Sequence, residues 1–382
     1  MAKLGNSAFV PQRLTQARSS FAMSKKDLAQ LAAVSANSIS TYERGECAPM
    51  DATIERIGEV LRFPVDFFTT PAPEEDVSCV FWRAQKTDTM RSQERTQVRI
   101  QWAGEMFQAL NEIVEFPELK LSAVSKKHWR NVEAEDIEEL AEACRAAWGM
   151  GDYPIPDMTL AIENCGIPVL SLDTSSYKQS GFMFWSERLG RPLIGTNNVD
   201  ASLGRMRFNL AHELGHVLLH QSVEQRELRS PKDHALVEGQ AHRFASALLF
   251  PRRAFERRVR YATIEEFASL KREWGMTICA QIARASDLGL CSKVRTEELW
   301  RAAGRRGFRR PLGEPFDSDM PLEAPRMFKR AIDLLETSAK EMLEAVRRWV
   351  PIPLSDAEAI VGRKWPSFDQ ELGPNVVRLR AH

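Results

Sequence analysis

The stretch that most limits what this chain can become is Phe208-Asn209-Leu210-Ala211-His212-Glu213-Leu214-Gly215-His216-Val217-Leu218-Leu219-His220, an apolar run around an H-E-x-x-H core. A segment apolar on nearly every side reads as a buried helix. Residues four apart on a helix share one face, so His212 and His216 can bring two imidazole nitrogens to one ion. Glu213 sits about 100° round from His212, beside such an ion, where a carboxylate can take the proton from a metal-activated water. The plain alternative is a core helix whose histidines are hydrogen-bonded to neighbours. That alternative has no use for the intact Glu213.

Composition sets the surroundings. A chain of 382 residues is long for one core and predicts two to three domains. With 43% hydrophobic and 27% charged residues it reads as soluble and globular. Formal net charge is zero, so a nucleic-acid surface would have to be local. The N-terminus has no signal-like apolar core, and no window approaches the roughly 18 apolar residues of a membrane helix. Cys47, Cys79, Cys144, Cys165, Cys279 and Cys291 form no C-x-x-C pair and read as reduced thiols of a cytoplasmic protein.

Residues 8–70 show helical apolar spacing at 12–18, 24–32, 35–43 and 51–61. Ser24 is an N-cap with Asp27 at the capping-box position, and Ser35 caps the next helix after a very short Ala33-Val34 turn. Two short helices across so tight a turn predict a helix-turn-helix with Leu28, Leu31, Val34 and Ile39 as shared core. The run Leu28-Ala29…Val34-Ser35…Ile39-Ser40…Tyr42-Glu43-Arg44-Gly45…Pro49 resembles the Cro and phage-repressor (Xre-type) DNA-binding domain over about sixty residues. Ala33 departs from that pattern, which places glycine in the turn; alanine there implies about 1 kcal/mol of left-handed strain. The resemblance implies that 35–44 is a recognition helix in the major groove. Asn37 would read adenine and Ser38 and Thr41 would suit bases or phosphates, with Ser35, Lys25 and Arg44 as further DNA-binding candidates. Acidic residues balance these cations, so a dimerisation or protein-docking role is the competing use.

Residues 71–150 read as linker and helical spacer. A proline-acidic break at 71–76 precedes a short apolar strand at 80–83, a long helix through Val98 to Ile113, and an amphipathic helix over 136–148. Residues 151–292 hold the chemistry. A helix over 158–165 closes at Gly166, and strands are expected at 167–172, 181–185 and 191–196. An edge strand of such a sheet can pair with an extended peptide. A catalytic zinc takes three protein ligands and keeps one open position. His220 is some 12 Å along the axis from His212, too far to share its ion, and reads as a supporting residue. The helix after Val237 carries the apolar stripe Ala241, Phe244, Ala245, Leu248 and Leu249, so it packs on the first. Glu238 near its start is the leading third ligand, followed by His242, with His234 and Asp233 in the loop as outsiders. Tyr261 and His234 are the candidate proton donors to an oxyanion.

The linked pattern Phe208…His212-Glu213-Leu214-Gly215-His216…Leu219-His220 and Glu238-x-x-Ala241-x-x-Phe244-Ala245…Leu248-Leu249-x-Pro251 looks like the ImmA/IrrE family of zinc metallopeptidases over about 130 residues. That resemblance implies His212, His216 and Glu238 as zinc ligands and Glu213 as catalytic base. His242 departs from it, standing where the family has asparagine.

Residues 293–382 read as a helical tail, with a basic turn at 305–310, one long helix over 324–349, and a helix over 356–361 capped by Ser355. The expected fold class is α+β and mostly helical: a helix-turn-helix bundle, a zincin-like metallopeptidase domain with a small sheet, and a C-terminal helical region. The two resemblances together imply a cytoplasmic DNA-binding transcriptional regulator with zinc-dependent endopeptidase activity. Its expected partners are operator DNA and a repressor or antitoxin-like protein substrate, in stress response, mobile-element or phage-defence control, and a homodimer is compatible. The rival is a non-catalytic Xre-type transcription factor or antitoxin whose peptidase-like part senses or docks.

Overall fold

The computed structural model describes residues 8–73, 81–84, 90–121, 123–171, 179–224 and 226–366. Cys79, Glu74 to Asp76, Val80 and Leu172, which belong to the segments anticipated above, lie outside them. The chain is α+β and mostly helical. In order it forms α1 (Pro11–Ser20), α2 (Lys25–Leu31), α3 (Ala36–Glu43), α4 (Asp51–Leu61), β1 (Phe81–Ala84), α5 (Met90–Asn111), α6 (Ala134–Ala147) and α7 (Met158–Asn164). Then come β2 (Val169–Ser171), β3 (Gln179–Ser186), β4 (Arg191–Thr196), α8 (Leu203–Leu219), α9 (Pro231–Leu249), α10 (Arg252–Arg258), α11 (Ile264–Trp274) and α12 (Ile278–Asp287). The last four are α13 (Lys293–Arg305), α14 (Met327–Ser338), α15 (Lys340–Trp349) and α16 (Leu354–Val361).

The head follows from its caps. Ser24 accepts from the Asp27 amide and Asp27 accepts from the Ser24 amide, a reciprocal capping box that starts α2. Ser35 accepts from the Ser38 amide at 2.9 Å and starts α3. Between them Ala33 takes φ +51°, the left-handed region that favours glycine. Replacing Ala33 with glycine is expected to raise stability by about 1 kcal/mol, read as an upward shift of the denaturant midpoint. Leu28 and Ile39 are buried as anticipated, but Leu31 is 53% exposed and Ala32 takes the core position instead. The buried face of α2 is centred on Leu28, Ala29 and Ala32, and Leu31 lies about 100° off that centre.

The head packs on α5. Buried Arg13 of α1 forms a two-pronged ion pair with Glu105 of α5, at 2.9 and 2.8 Å, and Phe67 meets Trp102 edge-on.

The sheet is four-stranded in the order β1-β3-β4-β2. β3 is antiparallel to both neighbours, and β4 is parallel to β2. Successive side chains of a strand point to opposite faces, and here both faces are buried. Val169, Met183 and Ile194 enter a core with α6 to α13. Leu170, Phe182, Phe184 and Leu193 enter a second core with the head, α5 and α14 to α16. Gly195 lies opposite Phe182, whose ring occupies the space a Cβ would need. β3 is paired on both sides over Phe182 and Met183, so the outer edges of the described sheet are β1 and β2. An extended peptide cannot add to β3 there without displacing β1.

Two elements of the tail differ from expectation. The single helix over 324–349 is broken at Ala339 (φ −156°), giving α14 and α15. Thr337 and Ser338 hydroxyls donate back to the carbonyls of Asp333 and Leu334, the competition by which such residues weaken a helix. Ser355 does not cap α16; the helix starts at Leu354 behind Pro353, and Ser355 sits within its first turn. The cysteines Cys47, Cys144, Cys165, Cys279 and Cys291 are free thiols.

Candidate metal centre

α8 is buried along almost its whole length, as its all-round apolar sequence requires. It lies on β3 and β4 with α9 across it. Gly215 makes that crossing close, since a Cβ there would meet the Phe244 ring at 3.1 Å and the Ala241 Cα at 3.3 Å. The short approach brings the first turns of α9 over the histidine face of α8. α9 begins at Pro231, earlier than its apolar stripe suggests, with Ser230 capping the Asp233 amide. Asp233 and His234 are therefore helical and not in a loop. Asp233 pairs with Arg130 at 3.0 Å, and His234 is exposed.

His212 Nε2 and His216 Nε2 lie 3.0 Å apart. Glu238 places Oε2 3.5 Å from His212 Nε2 and Oε1 3.4 Å from His216 Nε2. Donors held 2.0–2.1 Å from one tetrahedral centre stand about 3.3 Å from each other, so these spacings fit a shared ion. Burial opposes ionisation of Glu238, but the two imidazoles beside it outweigh that penalty and hold the carboxyl well below the usual range. Two buried imidazoles and an ionised carboxylate make a donor set suited to a divalent cation. His242 joins them: its ligand atom, with those of His212 and Glu238, falls within a span of 4.8 Å. Its Nδ1 lies 2.7 Å from the Glu238 carbonyl oxygen, and its ring is 4.6 Å from that of His212.

Glu213 is 1% exposed and faces β3. A Cβ on Gly181 would stand 2.8 Å from Glu213 Oε1, so only glycine leaves the carboxylate its place. The structure thus sets Glu213 against the sheet, one helical step from the converging donors. Tyr261 is 78% exposed in the loop before α11, and His234 is exposed on the first turn of α9.

The sequence places His220 in a supporting role, as the structure does, but does not identify its partners behind the converging side chains. His220 Nδ1 is 3.0 Å from His216 Nδ1, and His220 Nε2 is 2.9 Å from Gln240 Oε1. Burial, with His216 alongside, pushes His220 down to about 3. A glutamine inside the apolar stripe of α9 was the one available signal for this contact.

In the head, Ser35 is used as a cap and its Oγ is 2.8 Å from Ser38 Oγ, while Thr41 donates to the Ser38 carbonyl. Asn37 is exposed. Lys25 is 3.2 Å from Glu43, and Arg44 pairs with Glu46 at 2.5 Å.

An H-E-x-x-H helix crossed by a second helix that contributes a carboxylate defines a metallopeptidase-type domain. Residues 162–286 match the Peptidase_M78 family model, the IrrE N-terminal-like domain, about a third of the chain. Curated proteins give no match to the chain. Among the described residues no helix is long and apolar enough to cross a membrane.

Proposed function

We propose that the chain is a cytoplasmic DNA-binding regulator with zinc-dependent endopeptidase activity. The observation that carries the reading is the convergence of His212, His216 and Glu238 within 3.0–3.5 Å of one another, with Glu213 buried beside them. Two imidazole nitrogens and one carboxylate oxygen are a donor set used by catalytic zinc, which leaves a position open. A bound cation would supply Lewis acidity towards a peptide carbonyl and make water a nucleophile near neutral pH. The chain's own residues do the rest. Glu238 would set one negative charge against the cation, and the two histidines would hold it on the face of α8. Glu213 takes the proton lost by the attacking water and passes it to the leaving amine nitrogen.

The substrate class follows from the Xre-like head and the family resemblance: a repressor or antitoxin-like protein whose cleavage lifts transcriptional repression, in stress response, mobile-element or phage-defence control. The test mixes the full chain with the proteins of neighbouring genes and reads products by mass spectrometry. Discrete fragments that vanish with chelator are expected; intact partners in every mixture would leave the non-catalytic sensor as the reading.

Exposed Asn37 near the start of α3 supports base contact. The pairing of Lys25 and Arg44 with Glu43 and Glu46 favours the second reading, a head that docks protein. Binding of the full chain to its own promoter is expected to weaken steeply with salt as counterions are released. Asn37→Ala is expected to cost about 1–3 kcal/mol of sequence discrimination. Binding indifferent to both would assign the head to protein docking.

A further inference from the structure

Three buried side chains stand in line behind the metal pocket, and the backbone dictates the direction of every hydrogen bond among them. The Gln240 side-chain Nε2 donates to the carbonyl oxygens of Trp129, at 2.8 Å, and Val132, at 3.2 Å. Only an NH2 group can serve two carbonyls, so Oε1 is the atom turned to His220 Nε2, and it accepts. His220 Nε2 therefore carries a hydrogen. The ring is wholly buried, where the neutral form is favoured over a cation, so Nδ1 is a bare lone pair. That Nδ1 lies 3.0 Å from Nδ1 of His216, which must then be the donor. With the Nδ1 hydrogen turned to His220, Nε2 is the nitrogen that His216 turns to the converging donors. This is the nitrogen 3.0 Å from His212 Nε2 and 3.4 Å from Glu238.

We propose that Gln240 and His220 are positioning residues that lock His216 in its Nδ1–H tautomer, so that its Nε2 lone pair faces the pocket before a metal arrives. The inference rests on the reading of His216 as a ligand and adds what prepares it. Ordinarily one residue orients a metal-binding histidine by accepting its second N–H. Here the acceptor is itself a histidine, and a histidine accepts only if its own tautomer is fixed in turn. Two carbonyls from the segment ahead of α6 provide that fixing, through a side chain of α9. The chain of bonds thus joins α8, α9 and the approach to α6.

Two substitutions separate this from simple packing. His220→Phe keeps a ring but removes the acceptor, whereas His220→Asn can set its Oδ1 where Nδ1 lay. Zinc affinity of the full-length protein, measured by competition with a coloured chelator, is expected to fall about 10- to 100-fold in His220→Phe and to recover in His220→Asn. Nitrogen-15 NMR of the zinc-free protein gives the readout that packing would not move. Nε2 of His216 should resonate as an unprotonated nitrogen in the wild type and in His220→Asn, and shift towards the protonated range in His220→Phe. A wild-type His216 protonated on Nε2, or a folded His220→Phe with unchanged zinc affinity, overturns the proposal. A wild type with the expected tautomer that takes up no zinc removes the ligand reading and leaves the tautomer lock standing. If His220→Phe does not fold, the decision falls to the wild-type and His220→Asn spectra.

Discussion

Glu213→Gln is expected to lower peptide hydrolysis by about 10²- to 10⁴-fold, the usual contribution of a positioned general base, with metal content and fold unchanged. Glutamine keeps the shape that Gly181 makes room for, where a Cβ would come within 2.8 Å of Glu213 Oε1. It removes only the ability to accept and return a proton. The converging donors belong to His212, His216 and Glu238, so binding of the cation does not need the Glu213 charge. The check is paired: product formation by quantitative mass spectrometry, and bound metal per chain by elemental analysis. A variant as active as the wild type would end the hydrolase reading. A variant that loses its metal would make Glu213 a ligand and require a different base.

Glu138→Ala is expected to destabilise the protein by about 3–5 kcal/mol, the cost of leaving a buried charge alone. Arg284 of α12 is 0% exposed and meets both Glu138 oxygens of α6, at 2.5 and 2.7 Å, while its Nε donates to the Phe250 carbonyl. Arg243 of α9 stands 3.4 Å from the same carboxylate. Three helices therefore meet on one anion, and α9 is the helix that carries Glu238. Denaturant midpoints measure the loss. Replacing both partners, as Glu138→Leu with Arg284→Met, should recover much of it, because a well-packed apolar pair can match a buried ion pair. A Glu138→Ala protein as stable as the wild type would show that water reaches Arg284.

What the sequence made visible is what local periodicity encodes. The i, i+4 spacing of His212 and His216 needs no tertiary information, and neither does the Ser24–Asp27 capping box. The apolar stripe of α9 was enough to turn Glu238 towards α8. Invisible features are those made by long-range contact. Arg13 and Glu105 are 92 residues apart, and Arg284 and Glu138 are 146 apart; no pattern in the chain pairs them. Distance along the helix axis separates His220 from His212, and only the arrival of Gln240 from another helix completes its line of contacts with His216. At Leu31 and Ala32 the error was one of rotation. Both residues are apolar, and only the neighbours of α2 decide which of them faces inward.

The stretch matched by the family model, 162–286, is not a physical unit that could be lifted out. Cut at those ends, the peptidase portion would present Leu170, Phe182, Phe184 and Leu193 to water, side chains now roofed by helices from both ends of the chain. Such a fragment should be sticky and aggregate on expression. A working minimal version has to carry α5 and α14 to α16 along with it, however little those helices resemble a protease.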